Sequence, residues 1–160
     1  MRVLAFDPGF ERLGAAVVER SAGKETLLHS ECIQTSASLP FPERLAILGK
    51  AAEVLIETYA PTAVSLEEVY FAKNAKTAMK IAEVRGMLIY LAMSRGLALY
   101  QYTPLQVKVA ITGYGQSDKT AVALMVGRLL ALPPRKRLDD EIDAIAVGLT
   151  CLASARLTLQ

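Results

Sequence analysis

Short apolar runs separated by turn signals predict three strands at the start of the chain. The runs cover Val3–Phe6, Leu13–Glu19 and Thr26–Gln34, and the segments Pro8-Gly9 and Ser21-Ala22-Gly23-Lys24 lie between them. Strands joined by connections this short pair with their sequence neighbours in antiparallel fashion. We therefore expect an antiparallel meander of three strands.

Beyond residue 40 the pattern alternates between helical and strand periodicity. Helical spacing from Pro40 to about Tyr59 predicts a helix that Pro61 ends, and Ala63–Glu67 predicts a strand buried on both faces. The elements predicted after that are one helix, one strand and three more helices: Asn74 to about Ser94, Leu97–Tyr102, Pro104–Ile111, Ser117 to about Leu130, and Asp139 to about Ala155. Asn74 and Ser117 are the expected N-caps of their helices.

These elements predict an α/β fold in a single domain over residues 1–160. Three antiparallel strands followed by alternating helices and strands indicate a mixed five-stranded sheet flanked by helices. A crossover helix would place the fourth strand parallel to the first. The carboxyl ends of those two strands would then be neighbours, and ligands usually bind at such an edge.

Acidic residues occur where this edge is expected. Asp7 follows the apolar run Val3–Phe6, the pair Glu67-Glu68 follows the apolar run Ala63–Leu66, and Asp140 and Asp143 open the last helix. Carboxylates that converge on one point repel each other unless a cation holds them, so the pattern favours a divalent metal site. Helix capping is the alternative for the acids from Asp139 onward, and spacing alone does not choose between Asp139 and Asp140 as the partner of Asp143.

Charge is distributed unevenly along the chain, although its net value is only +2. Residues 61–137 carry 11 basic and 4 acidic groups, whereas residues 138–160 carry 1 basic and 4 acidic groups. A basic middle beside an acidic cluster is expected of a metal-dependent enzyme that acts on a polyanion, and a lysine-rich solvated face is the alternative.

Composition restricts the class of protein further. A hydrophobic content of 52% and a mean hydropathy of +0.31 are typical of a globular protein, and no apolar run is long enough for a membrane span. The first residues lack the features of a secretory signal. We expect a cytoplasmic protein whose two cysteines, Cys32 and Cys151, are free buried thiols.

Several segments occur together in an order that resembles the RuvC family, the bacterial Holliday junction resolvases of the ribonuclease H-like superfamily. The matching segments cover nearly the whole chain: Asp7-Pro8-Gly9 with Gly14, Leu66-Glu67-Glu68-Val69-Tyr70 with Ala72-Lys73-Asn74, Ala82-Glu83-Val84-Arg85-Gly86, Gln106-Val107-Lys108, Gly113-Tyr114-Gly115, Lys119, and Asp140-Glu141-Ile142-Asp143-Ala144. The resemblance implies a ribonuclease H-like fold. It also implies an endonuclease that resolves four-way DNA junctions by paired nicks of like polarity, in recombination and repair.

The resemblance also implies a set of four catalytic, metal-binding carboxylates. By motif position these are Asp7, Glu67, Asp140 and Asp143, with Glu68 as the alternative to Glu67. Two Mg²⁺ or Mn²⁺ ions held by such oxygen ligands activate the attacking water and stabilise the leaving 3′-oxygen.

Basic and aromatic positions are implied to contact DNA. Lys73, Lys76 and Lys80 share one helical face by spacing, and Lys108 and Lys119 match basic positions of the family. Tyr70 matches an aromatic position where a ring stacks on an unpaired base. The alternatives are surface lysines without a ligand and, for Tyr70, a ring that caps the core.

The family resemblance implies a homodimer and the branch-migration proteins RuvA and RuvB as partners. The helix after Asn74 has a stripe of small and apolar residues that a dimer would use, although packing on the sheet accounts for part of it: Ala75, Ala78, Met79, Ala82, Gly86 and Ile89. Two other functions compete with this interpretation. A sugar-kinase-like ATP-binding enzyme requires a duplicated domain, and a non-catalytic junction-binding protein is expected to lack one of the four carboxylates.

Overall fold

A computed structural model describes residues 1–68, 75–133 and 135–155. It contains five strands, in the spatial order β3-β2-β1-β4-β5. Their bounds are β1 (Arg2–Asp7), β2 (Arg12–Ser21), β3 (Lys24–Gln34), β4 (Ala63–Glu67) and β5 (Ala98–Tyr102). The first three strands pair antiparallel, and β4 lies parallel to β1 and to β5. The predicted mixed five-stranded sheet is therefore confirmed.

In the described part of the chain, five helices cover the two faces of this sheet. Their bounds are α1 (Phe41–Tyr59), α2 (Ala75–Ser94), α3 (Pro104–Thr112), α4 (Lys119–Leu129) and α5 (Asp139–Ser154). None of the described helices is both long enough and apolar enough to span a bilayer. All described strands contribute to one sheet, while a single domain over residues 1–160 stays a prediction.

Side chains alternate between two hydrophobic cores along β1. Val3 and Ala5 pack with α3, α4 and α5 on one face of the sheet. Leu4 and Phe6 pack with α1 and α2 on the other face. Successive residues of a strand point to opposite faces, so the next position, Asp7, belongs to the α5 face.

Helix α5 approaches the sheet closely because glycine occupies the contact point. A Cβ atom on Gly14 of β2 would lie 1.8 Å from the backbone oxygen of Asp140. A second close contact follows at Gly148, where a Cβ atom would lie 2.7 Å from the Val18 side chain. The first turn of α5 therefore rests on the backbone of β2, beside the end of β1.

Two predictions about local structure need correction. The N-cap of α4 is Asp118, whose carboxylate accepts a hydrogen bond from the Ala121 N–H at 2.7 Å. Ser117, the predicted cap, instead pairs its hydroxyl with that of Thr112 at 2.7 Å. Both cysteines are free, but only Cys151 is buried, and Cys32 is partly exposed. The predicted cap Asn74 lies outside the described residues.

The small and apolar residues predicted as a stripe on α2 are less buried against the sheet than expected. The buried residues of this helix are Val84, Leu88, Leu91 and Ala92, which form a different face. Of the stripe itself, Ala78 and Ile89 are half-buried, while four residues are exposed: Ala75, Met79, Ala82 and Gly86. Packing on the sheet therefore accounts for little of the stripe.

Candidate active site

Asp7 and Glu67 end two neighbouring parallel strands. Phe6 of β1 pairs with Leu66 of β4. The residues that follow them, Asp7 and Glu67, are therefore neighbours across the two strands. Strand alternation places both carboxylates toward α5, because Val64 and Leu66 belong to the opposite core. Glu68 is the residue after the end of β4, and its backbone N–H donates to the Tyr102 carbonyl at 2.8 Å. The strand geometry thus supports Glu67 over Glu68 as the acid of this site.

A cleft of about 330 Å³ opens at this edge of the sheet. Its walls come from β1, β4, α3, α4 and α5, through Asp7, Glu67, Pro104, Val107, Lys108, Lys119, Val122 and Asp143. Three of the four predicted carboxylates and two of the predicted lysines are therefore brought together from distant parts of the sequence. We call this the carboxylate cleft.

Burial and repulsion by neighbouring carboxylates make Asp7 and Glu67 of this cleft weak acids. Burial, followed by the negative charges of Glu67, Asp143 and Asp140, raises the pKa of Asp7 from 3.8 to about 8. Burial and then the charge of Asp143 raise the pKa of Glu67 from 4.5 to about 7, against the opposing effect of Lys119 and Lys108. Among the described residues, none donates a hydrogen bond to either carboxylate. A cation in the cleft would relieve this repulsion, and carboxylate oxygens are the ligands that Mg²⁺ and Mn²⁺ prefer.

Lys119 supplies part of the positive charge that the cleft needs. Its ammonium donates to Asp143 at 2.9 Å from the first turn of α4. This hydrogen bond is the main cause that raises the pKa of Lys119, so the lysine stays charged at neutral pH. The side chain remains 70% exposed, which leaves it accessible to a phosphate group at the mouth of the cleft.

Asp140 lies next to the carboxylate cleft but does not line it. Its carboxylate contacts the Arg12 guanidinium, with Nε and Oδ2 3.4 Å apart, in a neighbouring cavity of about 340 Å³. Asp140 is half-buried and adds to the negative charge that Asp7 experiences, whereas Asp139 is exposed. Position therefore supports Asp140 over Asp139. As the described side chains lie, no three of the Asp, Glu, His and Cys groups converge into a ready-formed metal-binding set.

Sequence reasoning missed an ionic network that fixes the first turn of α5. Glu141 is buried, with 4% of its surface exposed, and accepts a hydrogen bond from the Ser30 hydroxyl of β3 at 2.6 Å. Arg135 donates to Glu141 and, at 3.2 Å, to the Ser30 hydroxyl, and Arg137 lies 3.5 Å from the Glu141 carboxylate. The i,i+4 spacing of Arg137 and Glu141 was the available signal. This network ties the segment before α5 to the edge strand and so positions the helix that bears Asp140 and Asp143.

The remaining predicted DNA-binding residues are spread over α2 and the segment before it. Lys76 is exposed. Lys80 holds its ammonium over the rings of Phe10 and Phe41, at 4.8 and 5.6 Å from their centroids. Tyr70 and Lys73 lie outside the described residues.

Comparisons with known proteins agree with this architecture. The sequence model of the family described as crossover junction endodeoxyribonuclease RuvC matches residues 3–151. A protein of that name from Caldicellulosiruptor saccharolyticus is 41% identical over 99% of this chain and 96% of its own length. One from Caldanaerobacter subterraneus subsp. tengcongensis is 43% identical over 93% and 90%.

Solved structures give the same result. The Thermus thermophilus RuvC in complex with a Holliday junction substrate has a TM-score of 0.92 and 35% identity, over 99% of this chain and 96% of that one. The yeast mitochondrial Holliday junction resolvase Ydc2 has a TM-score of 0.72 at 14% identity, over 98% and 80% of the two chains, and thus shares the fold. The family model matches most of the chain, relatives are about 40% identical to it, and the sheet is the predicted ribonuclease H-like one. The chain therefore belongs to the RuvC family of crossover junction endodeoxyribonucleases.

Proposed function

We propose that this chain resolves four-way DNA junctions by paired, symmetric nicks, through metal-dependent phosphodiester hydrolysis in the carboxylate cleft. The observation that carries the proposal is the cluster of Asp7, Glu67 and Asp143 beside Lys108 and Lys119. A junction is the substrate favoured by family membership, since the similar Thermus protein was solved with one. The expected roles are recombination and DNA repair, in the cytoplasm.

The family is one of metal-dependent nucleases, and the residues of this site fit a divalent cation. Asp7 and Glu67 hold their protons unusually tightly, and Oδ2 of Asp140 is buried without a hydrogen-bond partner. We propose that Asp7, Glu67, Asp140 and Asp143 hold two Mg²⁺ or Mn²⁺ ions. Bound there, such ions activate water for attack on phosphorus and stabilise the leaving oxygen.

The cleft's own side chains complete the site. Lys119, fixed by Asp143 at 2.9 Å, and Lys108 place two positive charges where the scissile phosphate has to enter. In-line displacement breaks the bond from phosphorus to the 3′-oxygen, so one product keeps a 3′-hydroxyl and the other a 5′-phosphate, and the ends remain ligatable. The walls formed by Pro104, Val107 and Val122 are apolar, and a less polar surrounding strengthens these electrostatic interactions.

Junction binding would extend from the cleft along the start of α2. Lys76 and Lys80 of this helix, and Tyr70 and Lys73 before it, are proposed to contact the DNA arms and an unpaired base. The cation–π contact of Lys80 with Phe10 places its ammonium beside the loop between β1 and β2.

A homodimer would supply two clefts for the two symmetric strands of a junction. The exposed stripe of α2 supports α2 as the contact, because Met79 is 65% exposed and a Cβ on Gly86 would meet no atom within 4 Å. Tyr90 and Met93 continue the same exposed surface, at 70% and 59%. RuvA and RuvB remain the partners expected from the family resemblance.

Nicking of a synthetic mobile junction tests the proposal. Wild-type protein should cut opposite strands symmetrically with Mg²⁺ or Mn²⁺, and Asp7→Asn should bind the junction in EDTA as tightly as wild type but fail to nick it. A wild-type protein that binds without cutting would favour the non-catalytic junction-binding alternative. Membership of the RuvC family argues against the sugar-kinase-like alternative.

A further inference from the structure

Arg12 and Asp140 form an ion pair that leaves the aspartate incompletely satisfied. Nε of Arg12 lies 3.4 Å from Oδ2 of Asp140, and this contact is an ion pair without a hydrogen bond. Oδ2 itself is buried and has no hydrogen-bond partner. Because a buried carboxylate oxygen without a partner is costly, this geometry is suited to an exchange of partners.

The pair lies at the border between two cavities. Asp140 and Arg12 line the cavity that Gly9, Phe10, Glu11, Thr77 and Ile81 complete, whereas Asp7, Glu67 and Asp143 line the carboxylate cleft. Asp140 is thus the one proposed ligand that is turned toward a different cavity, and its contact there is Arg12. The backbone of Asp140 packs closely on Gly14, so a change of cavity would have to come from the rotamer of its side chain.

Arg12 is free to contact a second anion. Its side chain is 52% exposed, whereas that of Asp140 is 22% exposed, so the guanidinium reaches solvent at the mouth of the cavity. Arginine binds phosphate oxygens through its planar fork, often with two hydrogen bonds. A DNA phosphate at this rim would compete directly with Asp140 for the same guanidinium.

We propose that Arg12 is a positioning residue that holds Asp140 out of the carboxylate cleft until a junction phosphate takes its place. This inference rests on the proposed function, in which Asp140 is a metal ligand. Junction binding then releases Asp140 toward the cleft and strengthens cation binding there. By linkage, a cation bound at Asp140 frees Arg12 and strengthens junction binding by the same factor.

The first experiment measures Mn²⁺ binding to the DNA-free protein, with the concentration of free Mn²⁺ determined by electron paramagnetic resonance. Arg12→Ala should bind Mn²⁺ about two- to fivefold more tightly than wild type, the range expected for a half-exposed ion pair. Arg12→Lys keeps the charge and should restore affinity to near the wild-type value. Arg95→Ala, which removes an arginine paired with Glu53 and Glu57, is the matched control and should not change it.

The double variant separates a specific contact from the general loss of a positive charge. In an Asp140→Asn background, Arg12→Ala should no longer tighten Mn²⁺ binding, because the carboxylate that it restrains is gone. An equal gain in both backgrounds would mean that Arg12 acts only through long-range repulsion of the cation, and would overturn the proposal. Unchanged or weaker Mn²⁺ binding in Arg12→Ala alone would overturn it as well.

The second experiment measures junction binding in EDTA as a function of salt. If Arg12 takes up a phosphate, Arg12→Ala should lower the slope of log affinity against log salt by about one unit, and an unchanged slope would rule out the exchange. Asp140→Asn tests the proposed function separately, since full Mn²⁺ affinity in that variant would remove Asp140 from the metal site. Weakened Mn²⁺ binding in Asp140→Asn together with no effect of Arg12→Ala would leave the metal site standing and refute only the role of Arg12.

Discussion

Asp7 combines burial with three carboxylate neighbours, and this combination makes its charge costly. Its pKa in the folded chain is about 8, against an ordinary value of 3.8. Between these two values the folded protein holds a proton that the unfolded chain has lost. The free energy of unfolding of the metal-free protein therefore falls as pH rises from about 4 to about 8.

Asp7→Asn should remove this penalty. In EDTA the variant should melt at a higher temperature than wild type at pH 8 and close to it at pH 4, with the difference growing across that window. Adding Mn²⁺ at pH 8 should raise the melting temperature of wild type more than that of the variant, because the asparagine has no charge to neutralise. Melting curves at several pH values measure both effects. A difference that shrinks as pH rises would contradict the raised pKa.

Glu67 and Glu68 form a matched pair for testing which carboxylate faces the cleft. Mutation of a residue that only supports a metal ligand typically lowers activity about 10–100-fold. Glu67→Gln removes a proposed ligand itself, so its nicking rate should fall by more than that. Glu68→Gln should nick at near the wild-type rate, because Glu68 follows the strand rather than lining the cleft. Single-turnover nicking of a mobile junction gives both rates. A greater loss of nicking activity in Glu68→Gln than in Glu67→Gln would contradict the choice of Glu67.

At the scale of elements, the seating of α5 on β2 decides where two of the four carboxylates lie. Gly14→Ala would place a Cβ atom 1.8 Å from the Asp140 backbone oxygen, and a backbone atom cannot turn aside as a side chain can. We expect α5 to shift at its first turn, with a loss of about 1–3 kcal/mol in stability, as is usual for overpacking. Nicking should fall further than stability explains, because Asp140 and Asp143 move with the helix.

Gly127→Ala is the control for that substitution. Gly127 lies within α4, where a Cβ atom would meet no other atom within 4 Å, so alanine should keep or raise stability by up to about 1 kcal/mol through its helix propensity. Urea unfolding and single-turnover nicking at a temperature where both variants are folded separate the two effects. Normal nicking by folded Gly14→Ala would show that close packing at β2 does not position the site.

At the scale of the whole molecule, the exposed stripe of α2 should determine assembly. Gly86→Gln adds a side chain where the monomer has open space, so the monomer fold should be kept. In a dimer that packs through this stripe, the added atoms would separate the helices and weaken association by about tenfold, equivalent to roughly 1.4 kcal/mol. Sedimentation equilibrium measures the dissociation constant, with Gly127→Gln as control. Equal dimerisation in wild type and Gly86→Gln would exclude this face.

The sequence by itself determined the order and type of the elements and supplied the candidate residues of the site. Apolar runs with period two and helical spacing are local signals, and they located all five strands with bounds close to those observed. The acids Asp7 and Glu67 were found because each directly follows a buried strand. The order of the family's segments, rather than any one of them, identified the class of enzyme, and it is the basis of the proposed carboxylate set.

Only the tertiary structure decided how the site is held. Spacing left Asp139 and Asp140 equivalent, whereas in the folded chain Asp140 is half-buried beside Gly14 and Asp139 is exposed. The partner of Asp140 is Arg12, 128 residues earlier in the sequence. Glu141 is paired with the arginines before α5 and accepts a hydrogen bond from Ser30 of β3. The physical reason is that a periodic pattern records which face of an element is apolar, but ion pairs and rotamers depend on which distant segments the fold brings into contact.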